Sequence, residues 1–260
     1  MSFADAESPD ERKRLDEITT QWSLLRLSHE DSVSRAGPAR RTLVLRYSSA
    51  IRSYVGALMR DQQDADEVAQ EAVVRLLKGD FAGATPKRGR FRDLLKVSVR
   101  NMVRSYWRKQ QRQRGVPLIE ESFAADDKAE LQRDSDWLAA WQRSVLSMTY
   151  DALRAYQQST PGSVAYAVLR LRTDHADDTS DQLAERLSAA TGKSYNAAAT
   201  RQQLRRARLR FAQLLIEEIA RGLADPSPLR VKEELIEVGF MQYVGDFLPD
   251  DWQEHGQLRM

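Results

Sequence analysis

Apolar residues along this chain recur at spacings of three and four and almost nowhere alternate, so the pattern predicts helices and almost no strand. The first clear stripe lies in a helix expected from Ala39 to Met59, with Leu43, Tyr47, Ile51, Tyr54, Val55 and Leu58 facing inward. A second runs from Asp61 or Asp64, either of which can cap it, to Lys78; Val68, Ala72, Val73, Leu76 and Leu77 are its buried side and Gly79 its stop. After a loop with Gly83, Pro86 and Gly89, Leu95, Val99, Met102 and Tyr106 define a third inner face. Trp137, Trp141, Val145 and Met148 begin a further helical stripe, and Pro161-Gly162 breaks it. Helices are then expected at Val164–Arg172, after a cap at Ser180, and from Asn196 to Gly222 with Leu204, Leu209, Phe211, Leu214, Leu215 and Ile219 partly inward. A last acidic helix, LRVKEELIEVGFMQYV, follows Asp225-Pro226-Ser227-Pro228. Towards the N-terminus, residues 1–14 read as disordered, Ile18, Trp22 and Leu25 as a short stripe, and Ser28–Pro38 as loop.

Among 260 residues, 42% are hydrophobic, enough for one or two cores. Lys and Arg number 40 against 38 Asp and Glu, so net charge carries no message, but its distribution does. Base concentrates at 87–114 and 201–210, and acid at 61–71, 120–136 and 233–254. A chain segregated in this way can hold a polyanion in one place and meet a basic partner in another. There is no cysteine, which removes disulfides and thiolate chemistry. The N-terminus has no apolar signal core, and no apolar run approaches the roughly 20 residues that span a bilayer, so a soluble, cytoplasmic protein without membrane contact is expected.

The segment Lys87–Arg114 is the most informative, with Asp93 its only acid. Lys96, Arg100, Arg104, Arg108 and Arg112 follow one another at spacings of four, a cationic ridge beside the apolar face. Phe91, Tyr106 and Trp107 lie among the charges, and aromatic rings can stack on unpaired bases. A solvated basic surface is the simpler alternative, and the near-absence of compensating acid argues against it. The short helix at 180–190 and the Arg-rich helix at 196–222 form a helix-turn-helix pattern, whose second helix enters the major groove by its N-terminal end. Thr200, Arg201, Gln202, Gln203, Arg205 and Arg206 stand there; an ordinary salt-bridged hairpin would share the same outline. On the acidic helix, Glu67, Gln70, Glu71 and Val74 share the outward side, which reads either as a contact surface or as a solvated face.

Catalytic chemistry finds little support. His29, His175 and His255 have no nucleophile or ligand pattern near them, and the acids lack calcium-loop spacing. Gly192-Lys193-Ser194 resembles the end of a phosphate-binding loop, but Leu187 occupies the required first glycine. Neither enzymatic activity nor a cofactor or metal is expected.

An acidic helix with DADEVAQEAVVRLL, a loop, and then GRFRDLLKVSVRNMVRSYWRK resembles region 2 of extracytoplasmic-function sigma factors in the sigma-70 family; TRQQLRRARLRFAQLL resembles the recognition helix of region 4. The resemblance implies an all-α chain of two small helical domains. These are a region 2 bundle at 39–115 and a region 4 helix-turn-helix at 136–223, joined by an acidic linker at 116–135 and flanked by extensions at 1–38 and 224–260. It implies a promoter-specific initiation factor that binds the β′ and β subunits of core RNA polymerase. By the same resemblance, Asp64, Asp66, Glu67, Gln70 and Glu71 match the polymerase-binding position. Arg90, Phe91, Arg92, Lys96, Arg100, Asn101, Arg104, Trp107 and Arg108 match the residues that recognise and open the −10 promoter element. Thr200, Arg201, Gln202, Arg205 and Arg206 match those that read the −35 element. Regulation by an anti-sigma factor or a kinase is compatible with it. A helix-turn-helix regulator that acts without polymerase, and an all-helical adaptor for acidic proteins, are the competing readings.

Overall fold

The computed structural model describes residues 33–78, 90–113, 127–223 and 225–248, and among them there is no strand. The helices are α1 (Val33–Leu58), α2 (Gln62–Lys78), α3 (Phe91–Gln113), α4 (Asp127–Ser159), α5 (Ala165–Asp174), α6 (Ser180–Thr191), α7 (Ala197–Arg221), α8 (Pro228–Glu237) and α9 (Met241–Val244), followed by a 3-10 turn at Gly245–Phe247. The expected stripe at Ile18, Trp22 and Leu25 and the loop at Gly83–Gly89 lie outside the described residues.

The chain divides into two compact units. The first draws its described residues from Asp16–Ser144 and Ala220–Arg230, the second from Val145–Ile219 and Val231–Met260. The division falls inside α4, α7 and α8, so none of the three belongs to one unit alone.

In the first unit α1 packs on α2 and α3, and α2 also meets α3. Leu43, Tyr47, Ile51, Tyr54 and Val55 of α1 are buried with Val68, Ala72 and Leu76 of α2 and Leu95, Val99 and Met102 of α3, the faces the apolar spacing marks. Asp61 caps α2 by accepting the Asp64 backbone N–H at 2.9 Å, so of the two candidate caps Asp61 takes the role. The helix dipole is matched by Asp64 in the first turn and by Arg75 and Lys78 in the last.

Two expectations are corrected. Residues 33–38, read as loop, are the opening turns of α1. Pro38 removes one backbone hydrogen bond there, while the flanking Ala and Arg residues favour helix. Residues 127–135, read as the end of a linker, are helical and continuous with α4. Packing supplies the reason. Trp141 stacks on Tyr47 with centroids 5.0 Å apart and planes at 4°. Trp137 meets Tyr54 edge-on at 4.8 Å, and Phe91 lies against Tyr47 at 5.0 Å. Helix anchored at both tryptophans carries its register back through Asp134, on the same face. Helices α1, α2 and α3 thus share one core with the N-terminal part of α4, and that unit also takes in the end of α7, where the Phe91 N–H donates to the Gly222 carbonyl at 3.3 Å.

The second unit holds α5 against α6. Thr179, not Ser180, caps α6 through a reciprocal box: its hydroxyl accepts from the Gln182 N–H at 3.3 Å, and its own N–H donates to the Gln182 side chain at 2.8 Å. Gly192 ends the helix with φ at 69°, a left-handed cap that suits glycine. The single acidic helix expected after Pro228 is two: Gly239, with φ at 70°, ends α8 before α9 begins.

Replacing Trp141 by Ala removes the ring between Tyr47 and Trp137. It is expected to lower unfolding stability by about 3–5 kcal/mol in denaturant titrations. A loss below about 1 kcal/mol would mean that α4 is not part of this core.

Candidate nucleic-acid interface

The outer side of α2 presents Asp66, Glu67, Gln70 and Glu71, all exposed, together with Val74 at 42% exposure. Ala65, Val68, Ala69, Ala72 and Leu76 form the opposite, buried side, so apolar spacing alone turns the acids outward. Glu71 is bridged to Arg75 at 2.5 Å, with both side chains about half exposed. A pair of this kind is worth about 0–1 kcal/mol, so it yields to a cationic partner. Asp64 differs from its neighbours. It is half-buried and accepts a hydrogen bond from the Tyr106 hydroxyl at 2.6 Å, while Gln110 donates to that hydroxyl at 2.9 Å. Asp64 therefore ties α2 to α3, a role its acidic character alone did not reveal. The bond to Asp64, followed by desolvation, holds the Tyr106 phenol above its usual pKa, and the Gln110 contact opposes the shift.

The predicted ridge on α3 separates by environment. Phe91 and Arg92 are buried, the first at 0% and the second at 5% exposure. Neither side chain can meet a nucleic-acid strand in this conformation, and Phe91 is a core ring against Tyr47. Arg92 instead lies 3.5 Å from Asp93. Lys96 is mostly covered and pairs with Asp134 of α4 at 2.6 Å. Arg90, Arg100, Arg104 and Trp107 are half-buried, while Asn101 and Arg108 are exposed. Arg104 and Arg108 make no ion pair among the described residues. They and Trp107 put two cations and an indole on neighbouring turns. Val97, 55% exposed, lies one turn before Asn101 and went unremarked in the sequence because a single valine carries no pattern.

In the second unit five residues, Gly192–Asn196, separate α6 from α7. Asn196 caps α7 through the Ala199 N–H at 2.8 Å. Arg201, Gln202, Arg205 and Arg206 are exposed along its first turns, and Leu183, Ala184 and Leu187 of α6 are buried with Ala207 and Phe211. Thr200 is fully buried, which removes it from the exposed reading edge. The arrangement offers three guanidinium groups and one amide, a set able to bond phosphates and base edges. His175 is half-buried, whereas His29 and His255 lie outside the described residues. No cluster of metal-ligating side chains occurs among the described residues, and no described helix is long and apolar enough to cross a membrane.

Residues 43–113 match the family model for sigma-70 region 2. The matched segment is about a quarter of the chain and contains most of α1 together with all of α2 and α3. The match supports a sigma-70 region 2 domain over these residues, and in that family region 2 serves RNA polymerase in transcription initiation. No curated protein and no solved structure matches the chain.

Replacing Tyr106 by Phe leaves Asp64 without its donor, so the urea midpoint of the variant is expected to fall below that of the parent at pH 8. Because the folded phenol titrates above its unfolded value of 10.0, the advantage of the parent is complete below that pH. It shrinks as the pH rises through the folded pKa, when phenolate faces carboxylate. Equal midpoints for the two proteins at pH 8 would show that the bond adds nothing.

Proposed function

We propose that this chain is a sigma factor of the extracytoplasmic-function type, which binds core RNA polymerase and directs it to promoters with −10 and −35 elements. The observation that carries the reading is the region 2 match over 43–113, with an exposed acidic face on α2 and open cations on α3 inside the matched segment. Asp66, Glu67, Gln70 and Glu71 dock on the β′ subunit, with Val74 as the apolar centre of the contact. Asp64 acts one step back, by fixing α2 against α3.

Opening a promoter needs no bond-making by the protein. It needs cations along one strand and a surface that prefers unstacked bases. Extruding a base costs a few kcal/mol, and stacking on an aromatic ring returns about 1–3 kcal/mol per base. Trp107, half-buried, is the ring we assign to that exchange, beside Arg104 and Arg108, with Asn101 able to bond a base edge. Phe91 and Arg92 support the helix from below rather than touching the strand. The −35 element is read by Arg201, Gln202, Arg205 and Arg206 at the start of α7. This assignment is supported by the helix-turn-helix pattern of the sequence and by the exposure of these side chains, since the family match ends at residue 113.

Transcription from a promoter template with purified core polymerase tests the proposal. Changing Glu67 and Glu71 together to Lys is expected to abolish polymerase binding in a pull-down and to leave the melting curve unchanged. Start-site activity with the double variant equal to that of the parent would overturn the α2 assignment. Changing Arg201 and Arg205 together to Ala is expected to weaken −35 recognition at least tenfold, since each lost bidentate base contact costs about 1–3 kcal/mol, and to spare polymerase binding. A chain that bound duplex DNA but never activated polymerase would be a helix-turn-helix regulator, and one that bound no DNA an adaptor.

A further inference from the structure

On the cationic ridge of α3, Lys96 is held by a carboxylate from a distant part of the sequence. Its amine lies 2.6 Å from Asp134 Oδ1, and Lys96 is 21% exposed against 43% for Asp134. The oxygen lies off the hydrogen-bond direction, so the contact is an ion pair rather than an aligned hydrogen bond. Asp134 is not on a loose tether. It lies one turn before Trp137, whose ring is fixed against Tyr54, and two turns before Trp141, stacked on Tyr47. Arg143 of the same helix donates to the Ser53 hydroxyl at 3.1 Å. Three anchors on α1 therefore deliver one carboxylate to one lysine of the nucleic-acid helix.

A carboxylate at this distance does what a backbone phosphate would do: it neutralises the charge of the amine. We infer that the N-terminal half of α4 is a built-in competitor for nucleic acid, with Asp134 occupying the position of a phosphate at Lys96 until a strand displaces it. The inference rests on the proposed role of α3 in holding an opened strand and adds a regulatory consequence. The free protein is held below its full affinity for single-stranded DNA, which guards against binding away from a promoter. The exchange replaces one anion by another at the same amine, so the Lys96 charge is compensated before and after, with Asp134 the more exposed partner of the pair. Arg104 and Arg108, further along the ridge, stay available for the first encounter with the strand.

The test uses the full-length protein and a fluorescent single-stranded oligonucleotide, with anisotropy followed across a salt series. Asp134→Asn keeps the shape of the side chain and removes its charge. One added phosphate contact steepens the log–log salt dependence by about 0.7 for single strands. Extrapolated from 1 M salt, that slope corresponds to a gain of up to about eightfold at ~50 mM. The expected result is this gain in D134N and its disappearance in the double variant K96A/D134N, with both variants melting cooperatively like the parent. A parent that binds in a salt-dependent way while D134N binds no tighter would overturn the inference and leave the sigma-factor reading standing. An equal gain in D134N and in K96A/D134N, each relative to the same protein with Asp134 intact, would also overturn it, because the effect would then be generic. If no variant and no parent bound the strand at any salt, the reading of α3 and the inference would fall together.

Discussion

The stack of aromatic rings at the centre of the first unit is the constraint on which the remainder depends. Phe91, Tyr47, Trp141, Trp137 and Tyr54 follow one another at centroid distances of 4.8–5.9 Å. Rings of this size bury roughly 150–250 Å² each and gain about 0.5–1.5 kcal/mol per pair beyond burial. They come from three helices, α1, α3 and α4, so the stack sets where the cationic helix begins and which residues of α4 lie beside it. A ring lost from the middle would loosen the start of α3 and the placement of Asp134 together.

With that helix fixed, charge decides what its surfaces can do. Acids of α2 point away from the core because the apolar stripe of the helix points into it. The cations of α3 are graded instead of uniform. Arg92 is buried, Lys96 is paired, and Arg104 and Arg108 are available. Where Asp64 meets Tyr106, an anionic surface and a cationic one are joined by a single short hydrogen bond. One small helical unit therefore presents an anionic surface on α2 and a cationic one on α3, the two surfaces the proposed function requires.

Much of this was legible in the sequence, for a physical reason. Burial of a helix face requires apolar residues at spacings of three and four, and Leu43, Tyr47, Val68, Leu76, Leu95 and Val99 obey that spacing and are buried. The outward set Glu67, Gln70, Glu71 and Val74 follows from the same periodicity. Residues at helix starts escaped it. Phe91, Arg92 and Thr200 lie in the first turns of their helices, and their burial is set by distant groups: Tyr47 for Phe91, and the packed core of the second unit for Thr200. Local composition also misled at 127–135, where acidic polar residues suggested a tether. The stripe of Trp137 and Trp141, extended back by one turn, reaches Asp134 and marks the helix that the structure contains. The short hydrogen bond between Asp64 and Tyr106 joins residues 42 apart, and no pattern within one helix could signal it.

A photocrosslinking amino acid at position 74 offers the most direct measurement. Val74 is 42% exposed one turn beyond Gln70 and Glu71 on the outward side of α2, within reach of a partner docked on that side. With full-length protein and purified core RNA polymerase, irradiation is expected to give a covalent product with the β′ subunit. No product with any polymerase subunit, under conditions where a known sigma factor carrying the same label gives one, would contradict the assignment of this chain to transcription initiation.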